Sequence, residues 1–162
     1  IKLDNKKQAG ADRIANAYAA KKLYKLPAIV VDFGTATTFD IVNEKSEFIG
    51  GIIAPGLRLQ LETLGKCTSK LPQLNVQESK CVIGSNTEDA ILSGVVRGTA
   101  SMIEGLINEC EKELKGKATI IATGGYCSII AQYMNRKFDF VNQSLTLEGL
   151  KYLFELNENS KH

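Results

Sequence analysis

Apolar and polar residues recur along the first third of the chain with spacings that predict one helix followed by strands. Apolar residues at helical spacing over residues 10–25 predict a helix that begins at the sequence GADR and ends before Pro27. Short runs rich in β-branched residues then predict strands at residues 28–34, 37–43 and 48–54. Polar turns separate these runs, so we expect three consecutive antiparallel strands.

The rest of the chain alternates between predicted helices and strands. Residues 57–64 predict a helix, and the polar residues 65–80 an irregular connection. Residues 87–114 predict a long helix, and because its glycines cost helix stability we expect close packing there. The remaining pattern predicts a strand, a helix, a strand and a helix at residues 118–125, 128–134, 138–141 and 147–156.

This order of elements predicts the fold class. Three antiparallel strands followed by helix, strand, helix, strand and helix is the order of the ribonuclease-H-like domains of sugar kinases, heat-shock ATPases and actin. We therefore expect an α/β fold in which helices flank a mixed sheet.

Composition limits the size and the partners of the protein. With 162 residues, 44% of them apolar, we expect a single domain over residues 1–162. The 20 basic and 18 acidic residues are spread along the chain and provide no sustained basic field, so nucleic acid is not an expected partner. No apolar stretch approaches the roughly 20 residues that cross a bilayer, and no signal segment opens the chain. We expect a cytoplasmic protein without a membrane partner.

Cysteine and histidine usage narrows the possible chemistry. The four cysteines lie far apart without a CxxC spacing, so neither a zinc site nor a redox pair is indicated. His162, the single histidine, is the last residue, which leaves no histidine for a catalytic triad. We therefore expect any catalysis to depend on carboxylates.

The sequence DFGTATT at residues 32–38 is a candidate phosphate-binding turn. A predicted strand delivers Asp32, after which Gly34 permits a close approach to a ligand. Thr35 and Thr37 add hydroxyls, and together with backbone N–H groups these could converge on phosphate oxygens. The alternative is an ordinary β-turn in which threonine is favoured by strand propensity.

Other motifs also have a functional and a purely structural interpretation. TGG at residues 123–125 ends a predicted strand. Its glycines would let a nucleotide lie against the backbone, and the alternative is an ordinary strand-to-helix turn. GADR at residues 10–13 places a carboxylate beside a guanidinium at a helix start, where Asp is also a common cap. Thr87 could merely begin the long helix, and GGIIAPG at residues 50–56 could be a bulged strand with a Pro-Gly turn.

Taken together, the order GADR, DFGTATT, GGIIAPG, GSNTEDAILSG, TGG and LTLEGL resembles the type III pantothenate kinase family from about residue 8 to residue 154. The resemblance implies ATP-dependent phosphorylation of pantothenate to 4′-phosphopantothenate, the first step of coenzyme A biosynthesis. It also implies magnesium with the ATP and a monovalent cation, potassium or ammonium.

The resemblance implies roles for individual residues. It makes Asp12 the proton acceptor and Asp32 the ligand of the monovalent cation. The implied pantothenate contacts are Gly10, Ala11, Asp12, Arg13 and Thr87. The resemblance and the interpretation of residues 32–38 as a phosphate turn together imply the nucleotide contacts, which are Gly34, Thr35, Thr37, Thr123, Gly124 and Gly125.

A further implication is a homodimer in which each pantothenate site is completed at the subunit boundary. Small residues of the predicted long helix would fall near one face and permit close approach of a second copy. These residues are Gly94, Gly98, Ala100, Ser101 and Gly105. The alternative is a core helix packed only within its own subunit.

The chain also departs from the family pattern. Family members begin with a DxGNT-type phosphate loop in an amino-terminal half, and no such sequence is present. The resemblance therefore makes the chain the single carboxy-terminal domain of a two-domain kinase, with the amino-terminal half as its missing partner. Because ATP is held between two halves in this superfamily, we expect the chain alone to bind ATP weakly and to have little kinase activity. Two alternatives stay open: another small-molecule kinase, acting on a sugar or acetate, and a non-enzymatic protein of the Bvg accessory factor type. Retention of Asp12 and Asp32 argues against the second.

Overall fold

The structure, a computed structural model, describes residues 2–3, 9–68 and 71–159. The helices in these ranges are α1 (Ala11–Leu23), α2 (Leu57–Cys67), α3 (Thr87–Leu92), α4 (Gly98–Leu114), α5 (Cys127–Ala131) and α6 (Leu145–Asn159). The strands are β1 (Ala28–Phe33), β2 (Ala36–Val42), β3 (Phe48–Pro55), β4 (Thr119–Gly124) and β5 (Phe140–Val141). They form one sheet in the order β3-β2-β1-β4-β5.

The pairing of the strands confirms the predicted mixed sheet. β2 is antiparallel to β1 and β3, whereas β4 is parallel to both β1 and β5. The predicted strand at residues 138–141 shrinks to the two residues of β5, because the Asp139 side chain takes over part of the ladder. Its carboxylate accepts a hydrogen bond from the backbone N–H of Ile120 at 2.7 Å.

Each face of the sheet packs against its own layer of helices. Side chains alternate along β1, so Ile29 and Val31 face one side while Ala28 and Val30 face the other. The first side meets buried residues of α2, α3, α4 and α5. The second side meets the alanine-rich helix α1 and the start of α6. The three layers therefore separate α1 from the long helix by the thickness of the sheet.

Close contact between α1 and α6 depends on Gly149. A methyl group at Gly149 would overlap the backbone carbonyl of Ala15, so α6 approaches α1 more closely than a larger residue would allow. This approach places Thr146 of α6 against Asn16 of α1.

The long helix is continuous from Thr87 to Leu114, with a π-helical stretch at Ser93–Arg97 between α3 and α4. Its length and composition would allow it to span a membrane, but half of its most apolar window is buried, as in the core helix of a soluble protein. Ala100 faces the core and is 1% exposed, so its predicted place among the small residues of one exposed face is wrong. The small residues that share the exposed face are Gly94, Gly98, Ser101 and Gly105.

The predicted close packing at the helix glycines is not made within the described part of the chain. No heavy atom there lies within 4 Å of a methyl group built at Gly94, Gly98 or Gly105. These glycines leave room for a neighbour that is not part of the same chain.

Glu111 joins the end of α4 to the segment after α5. Its carboxylate, 6% exposed, accepts hydrogen bonds from both terminal nitrogens of Arg136 at 2.9 and 2.8 Å. Lys117 and the backbone N–H of Ala118 donate to the same carboxylate. The hydrogen bonds from Arg136 are the main reason that the pKa of Glu111 falls to about 2.

We expect Glu111→Gln to destabilise the fold by about 3 kcal/mol at pH 7, because removing one partner leaves Arg136 without its counter-charge. A depressed folded-state pKa stabilises the fold above the ordinary value of 4.5, and this stabilisation is lost as the pH falls towards 2. Urea unfolding should show that the difference in the free energy of unfolding between parent and variant is smaller at pH 3 than at pH 7. Glu109→Gln is the control, since that exposed pair with Lys112 should contribute less than about 1 kcal/mol. A difference in the free energy of unfolding that does not change with pH would contradict a stabilising role of the ionised Glu111 carboxylate.

Candidate functional site

The two predicted nucleotide turns meet at one edge of the sheet. β1 and β4 are neighbours in parallel register, with Phe33 opposite Gly124, so the turns that follow them leave the sheet side by side. They border a cleft of about 570 Å³. The cleft is lined by Phe33, Gly34, Thr35, Arg58, Leu59, Glu62, Gly125 and Tyr126. Ligands of open α/β sheets bind at the carboxyl ends of parallel strands, where this cleft lies.

Glycines give these turns their shape. Gly124 has a φ of 89°, and a methyl group there would lie 2.7 Å from the carbonyl oxygen of Phe33, so only glycine fits without strain. Gly56 lies so close to the turn that a methyl group would overlap the carbonyl of Thr35. Gly125 has open space around it, which leaves its backbone accessible from the cleft.

Thr37 and Thr123 do not present their side chains to the cleft. Thr37 belongs to β2 and lies opposite Phe33, so its side chain shares the core face and is fully buried. Its hydroxyl has no hydrogen-bond partner among the described residues. Thr123 lies opposite Asp32, on the α1 side of the sheet. The threonine-rich run was expected to form the turn itself, but the turn is shorter and β2 already begins at Ala36.

On the α1 side, Arg13 is held by the sheet. Its Nε donates to Asp40 Oδ1 at 2.6 Å and its Nη2 to the carbonyl oxygen of Phe39 at 3.1 Å. Asp40 has a fully buried side chain. Burial raises the pKa of Asp40 to about 6, although Arg13 and Asn16 oppose this rise by stabilising the ionised form. At neutral pH, Arg13 and Asp40 therefore form an ion pair.

Asp12 precedes this pair and is exposed in the first turn of α1. The N-cap of α1 is Gly10, and among the described residues no side chain caps the helix, so the alternative in which Asp12 serves as a cap is not observed. Among the described residues no hydrogen bond or ion pair occupies its carboxylate. The carboxylate of Asp12 is therefore open to contact with a ligand.

Asn16, which sequence reasoning missed, links Asp40 to Asp32. Its side-chain nitrogen lies 3.0 Å from Asp32 Oδ2 and 3.4 Å from Asp40 Oδ2. Its oxygen accepts a hydrogen bond from Thr146 at 2.7 Å. The signal in the sequence was an asparagine among the alanines of α1, and a buried amide in such a helix calls for polar partners.

Asp32 is half-buried at the end of β1, and its carboxylate makes no ion pair in the part of the chain that is described. Its Oδ1 lies 3.7 Å from the point where a Cβ of Gly34 would stand, so this oxygen faces the candidate phosphate turn. A monovalent cation fits this corner, because an uncompensated carboxylate lies beside backbone that can bring in phosphate oxygens. Within the described ranges, no group of three or more His, Cys, Asp or Glu side chains is placed to hold a metal ion.

Thr87 is exposed at the start of α3, where Asn86 is the cap and accepts a hydrogen bond from the backbone N–H of Asp89. Since α3 packs on the opposite face of the sheet from α1, the structure does not bring Thr87 and residues 10–13 together within one chain.

Comparison with known proteins identifies relatives of the chain. The model of a family described as type III pantothenate kinase matches residues 1–109. A curated type III pantothenate kinase of Dehalococcoides mccartyi is 46% identical over 158 residues, and that of Halalkalibacterium halodurans is 43% identical over 157 residues. The alignments cover 98% and 97% of this chain, which spans only 60% and 61% of the length of these relatives. The matches confirm the resemblance seen in the motifs.

Solved structures share the fold. A conserved protein of Campylobacter jejuni, described as a Baf family transcriptional activator, superposes with a TM-score of 0.69 at 26% identity, covering 98% of this chain and 70% of its own. The activator of 2-hydroxyisocaproyl-CoA dehydratase from Clostridium difficile, solved with bound ADPNP, superposes with a TM-score of 0.53 at 12% identity, covering 93% and 68%. The second likeness shows the fold alone, and the expected fold class is confirmed.

Proposed function

Since the chain belongs to the type III pantothenate kinase family, we propose that it is part of a cytoplasmic enzyme that transfers the γ-phosphoryl group of ATP to pantothenate. The product would be 4′-phosphopantothenate, which enters coenzyme A biosynthesis. The observation that supports this function most is the meeting of the two turns after β1 and β4 at one cleft.

ATP would lie along the cleft with its phosphates at the β1–β2 turn. The backbone of Gly34 and the exposed hydroxyl of Thr35 supply donors for phosphate oxygens, while Gly125 leaves room for the adenosine. Thr37 and Thr123 would support this site through packing, because their side chains do not reach it. Magnesium bound to the ATP phosphates would neutralise charge on the group that is transferred.

Asp12 would act as the general base. It accepts the proton of the primary hydroxyl of pantothenate while the hydroxyl oxygen forms a bond to the γ-phosphorus and the bond to ADP breaks in line. Arg13 uses Nε and Nη2 within the chain, so only its remaining N–H groups could meet the substrate carboxylate. Asp32 would hold potassium or ammonium beside the phosphates.

A second copy of the chain would complete the pantothenate site. Thr87 and Asp12 lie on opposite faces of the sheet, which favours a site in which Thr87 of another subunit contacts the substrate. The exposed small residues of the long helix leave space for close approach of that subunit. We therefore propose that the protein is a homodimer.

Gly98→Arg is expected to turn the dimer into a monomer, because a long charged side chain would fill the space at the centre of the exposed small residues. Sedimentation velocity of the full-length protein at micromolar concentration should show the parent as a dimer and the variant as a monomer. Glu44→Arg, in the exposed β2–β3 turn, should leave the dimer intact. A parent that sediments as a monomer would reject the dimer.

An acceptor panel tests the proposed function. The full-length protein should phosphorylate pantothenate with a kcat/KM at least about a hundredfold above those for sugars and acetate, because only the matching acceptor is held in line with the γ-phosphorus. Transfer mainly to a sugar or acetate would favour another kinase of the superfamily. Absence of any acceptor would favour a regulatory role of the kind that the Campylobacter jejuni protein is described as having.

A further inference from the structure

Asn16 is a buried amide whose polar atoms all have partners. The side chain is 0% exposed, at the place where α1, the sheet and α6 meet. Its nitrogen points towards two carboxylates and its oxygen accepts from Thr146 Oγ1. This arrangement fixes the orientation of the amide, because a flipped amide would place its oxygen against the oxygens of Asp32 and Asp40.

The charges around Asn16 are unequal. Arg13 compensates Asp40 through the 2.6 Å ion pair, whereas the structure gives Asp32 no cationic partner within the described ranges. A lysine or arginine at position 16 would neutralise Asp32, and an apolar residue would take the amide donor away from the buried Asp40 and the half-buried Asp32. Asparagine does neither, because it donates to Asp32 and leaves the negative charge available for a cation.

The same nitrogen also joins two parts of the proposed site. Asp32 belongs to the cation side, while Asp40 holds Arg13 on the pantothenate side. A shift of either carboxylate therefore changes the hydrogen bond that Asn16 makes to the other one. Thr146 of α6 donates a hydrogen bond to the oxygen of the Asn16 amide, which holds the amide in the orientation that contacts both carboxylates.

We propose that Asn16 is a positioning residue that orients Asp32 for a monovalent cation and links it to the Arg13–Asp40 pair, so that cation and pantothenate bind more tightly together than apart. This inference rests on the proposed function. Coupling of this kind is reciprocal, so potassium should tighten pantothenate binding by the same factor by which pantothenate tightens potassium binding.

The test is calorimetry of pantothenate binding to the full-length protein with a non-hydrolysable ATP analogue present, in potassium chloride and in choline chloride of equal ionic strength. In the parent, potassium should tighten pantothenate binding about fivefold or more. In Asn16→Ala this effect should vanish, and the half-saturating potassium concentration should rise about tenfold. In choline chloride, where no potassium links Asp32 to the phosphates, affinity for the ATP analogue should change less than about twofold, since the two turns that would bind it do not contact Asn16.

Two further variants separate positioning from stability. Glu111→Gln loosens an ion-pair cluster that belongs to the opposite layer, so it should lower the melting temperature and keep the potassium effect. Thr146→Val keeps the Asn16 amide but removes the hydroxyl that donates to it. It should weaken the potassium effect on pantothenate binding and raise the half-saturating potassium concentration, each by about threefold. It also provides the test if Asn16→Ala does not fold.

The outcomes are distinguishable. If the parent phosphorylates pantothenate but potassium does not change pantothenate binding, or if the variants at position 16 and 146 keep the parental potassium effect, the positioning role is overturned and the kinase function stands. If the parent does not phosphorylate pantothenate, the proposed function fails and the inference fails with it.

Discussion

Replacing Asp12 by asparagine in the full-length protein is expected to lower kcat for pantothenate by about a hundredfold or more. Asparagine keeps the shape of the side chain but cannot accept the proton of the attacking hydroxyl. Asp12 is exposed, and its carboxylate makes no hydrogen bond or ion pair with the residues that the structure describes, so its removal should leave the fold undisturbed. ATP affinity and melting temperature should stay close to the parental values.

The structure also restricts which carboxylate could replace Asp12 in this role. Asp40 is buried and paired with Arg13, and Asp89 accepts a hydrogen bond from Asn86 at the start of α3. Asp89→Asn is therefore a matched control that should keep kcat within about twofold. Steady-state kinetics of both variants test whether Asp12 is the general base. A parental kcat in Asp12→Asn would show that it is not.

The second large effect concerns the monovalent cation. Exchanging potassium for sodium should lower kcat/KM of the full-length protein by an amount on the order of tenfold, and Asp32→Asn should abolish the difference between the two ions. The reason is that Asp32 carries an uncompensated charge beside the phosphate turn, where a cation can bind carboxylate and phosphate oxygens together.

Glu62 provides the matched control for this prediction. Its carboxylate also lines the cleft, but it is paired with Arg58 at 2.7 Å and with Lys66, so Glu62→Gln should retain the preference for potassium. Initial rates in potassium, sodium and choline chloride at equal ionic strength separate a specific cation from screening. Equal activity of the parent in sodium and potassium would count against Asp32 as a cation ligand.

Much of the fold could be predicted from the sequence, because alternation and helical spacing are local patterns. The three antiparallel strands and the long helix lie where these patterns placed them. Local patterns cannot give the face of the sheet on which a side chain lies. Thr37 illustrates this limit, since its burial follows from its register opposite Phe33 and not from its neighbours in the sequence.

The candidate site was predictable only where its residues form contiguous motifs. The motifs GADR, DFGTATT and TGG pointed to Asp12, Asp32 and the two turns. The connection between them was not predictable, because Asn16 contacts Asp40, which lies 24 positions away in the sequence, and Thr146, which lies 130 positions away. Contacts over such separations depend on the packing of α1 against the sheet and α6, which no local pattern reports.

A ³¹P NMR spectrum of the products that the full-length protein forms from ATP and pantothenate in potassium buffer tests the proposed phosphoryl transfer most directly. We expect a phosphomonoester resonance split by the two protons of the 4′-methylene group, together with ADP in equal amount, because the γ-phosphoryl group moves to the primary hydroxyl. A spectrum that shows unchanged ATP, or ADP with inorganic phosphate alone, would contradict it.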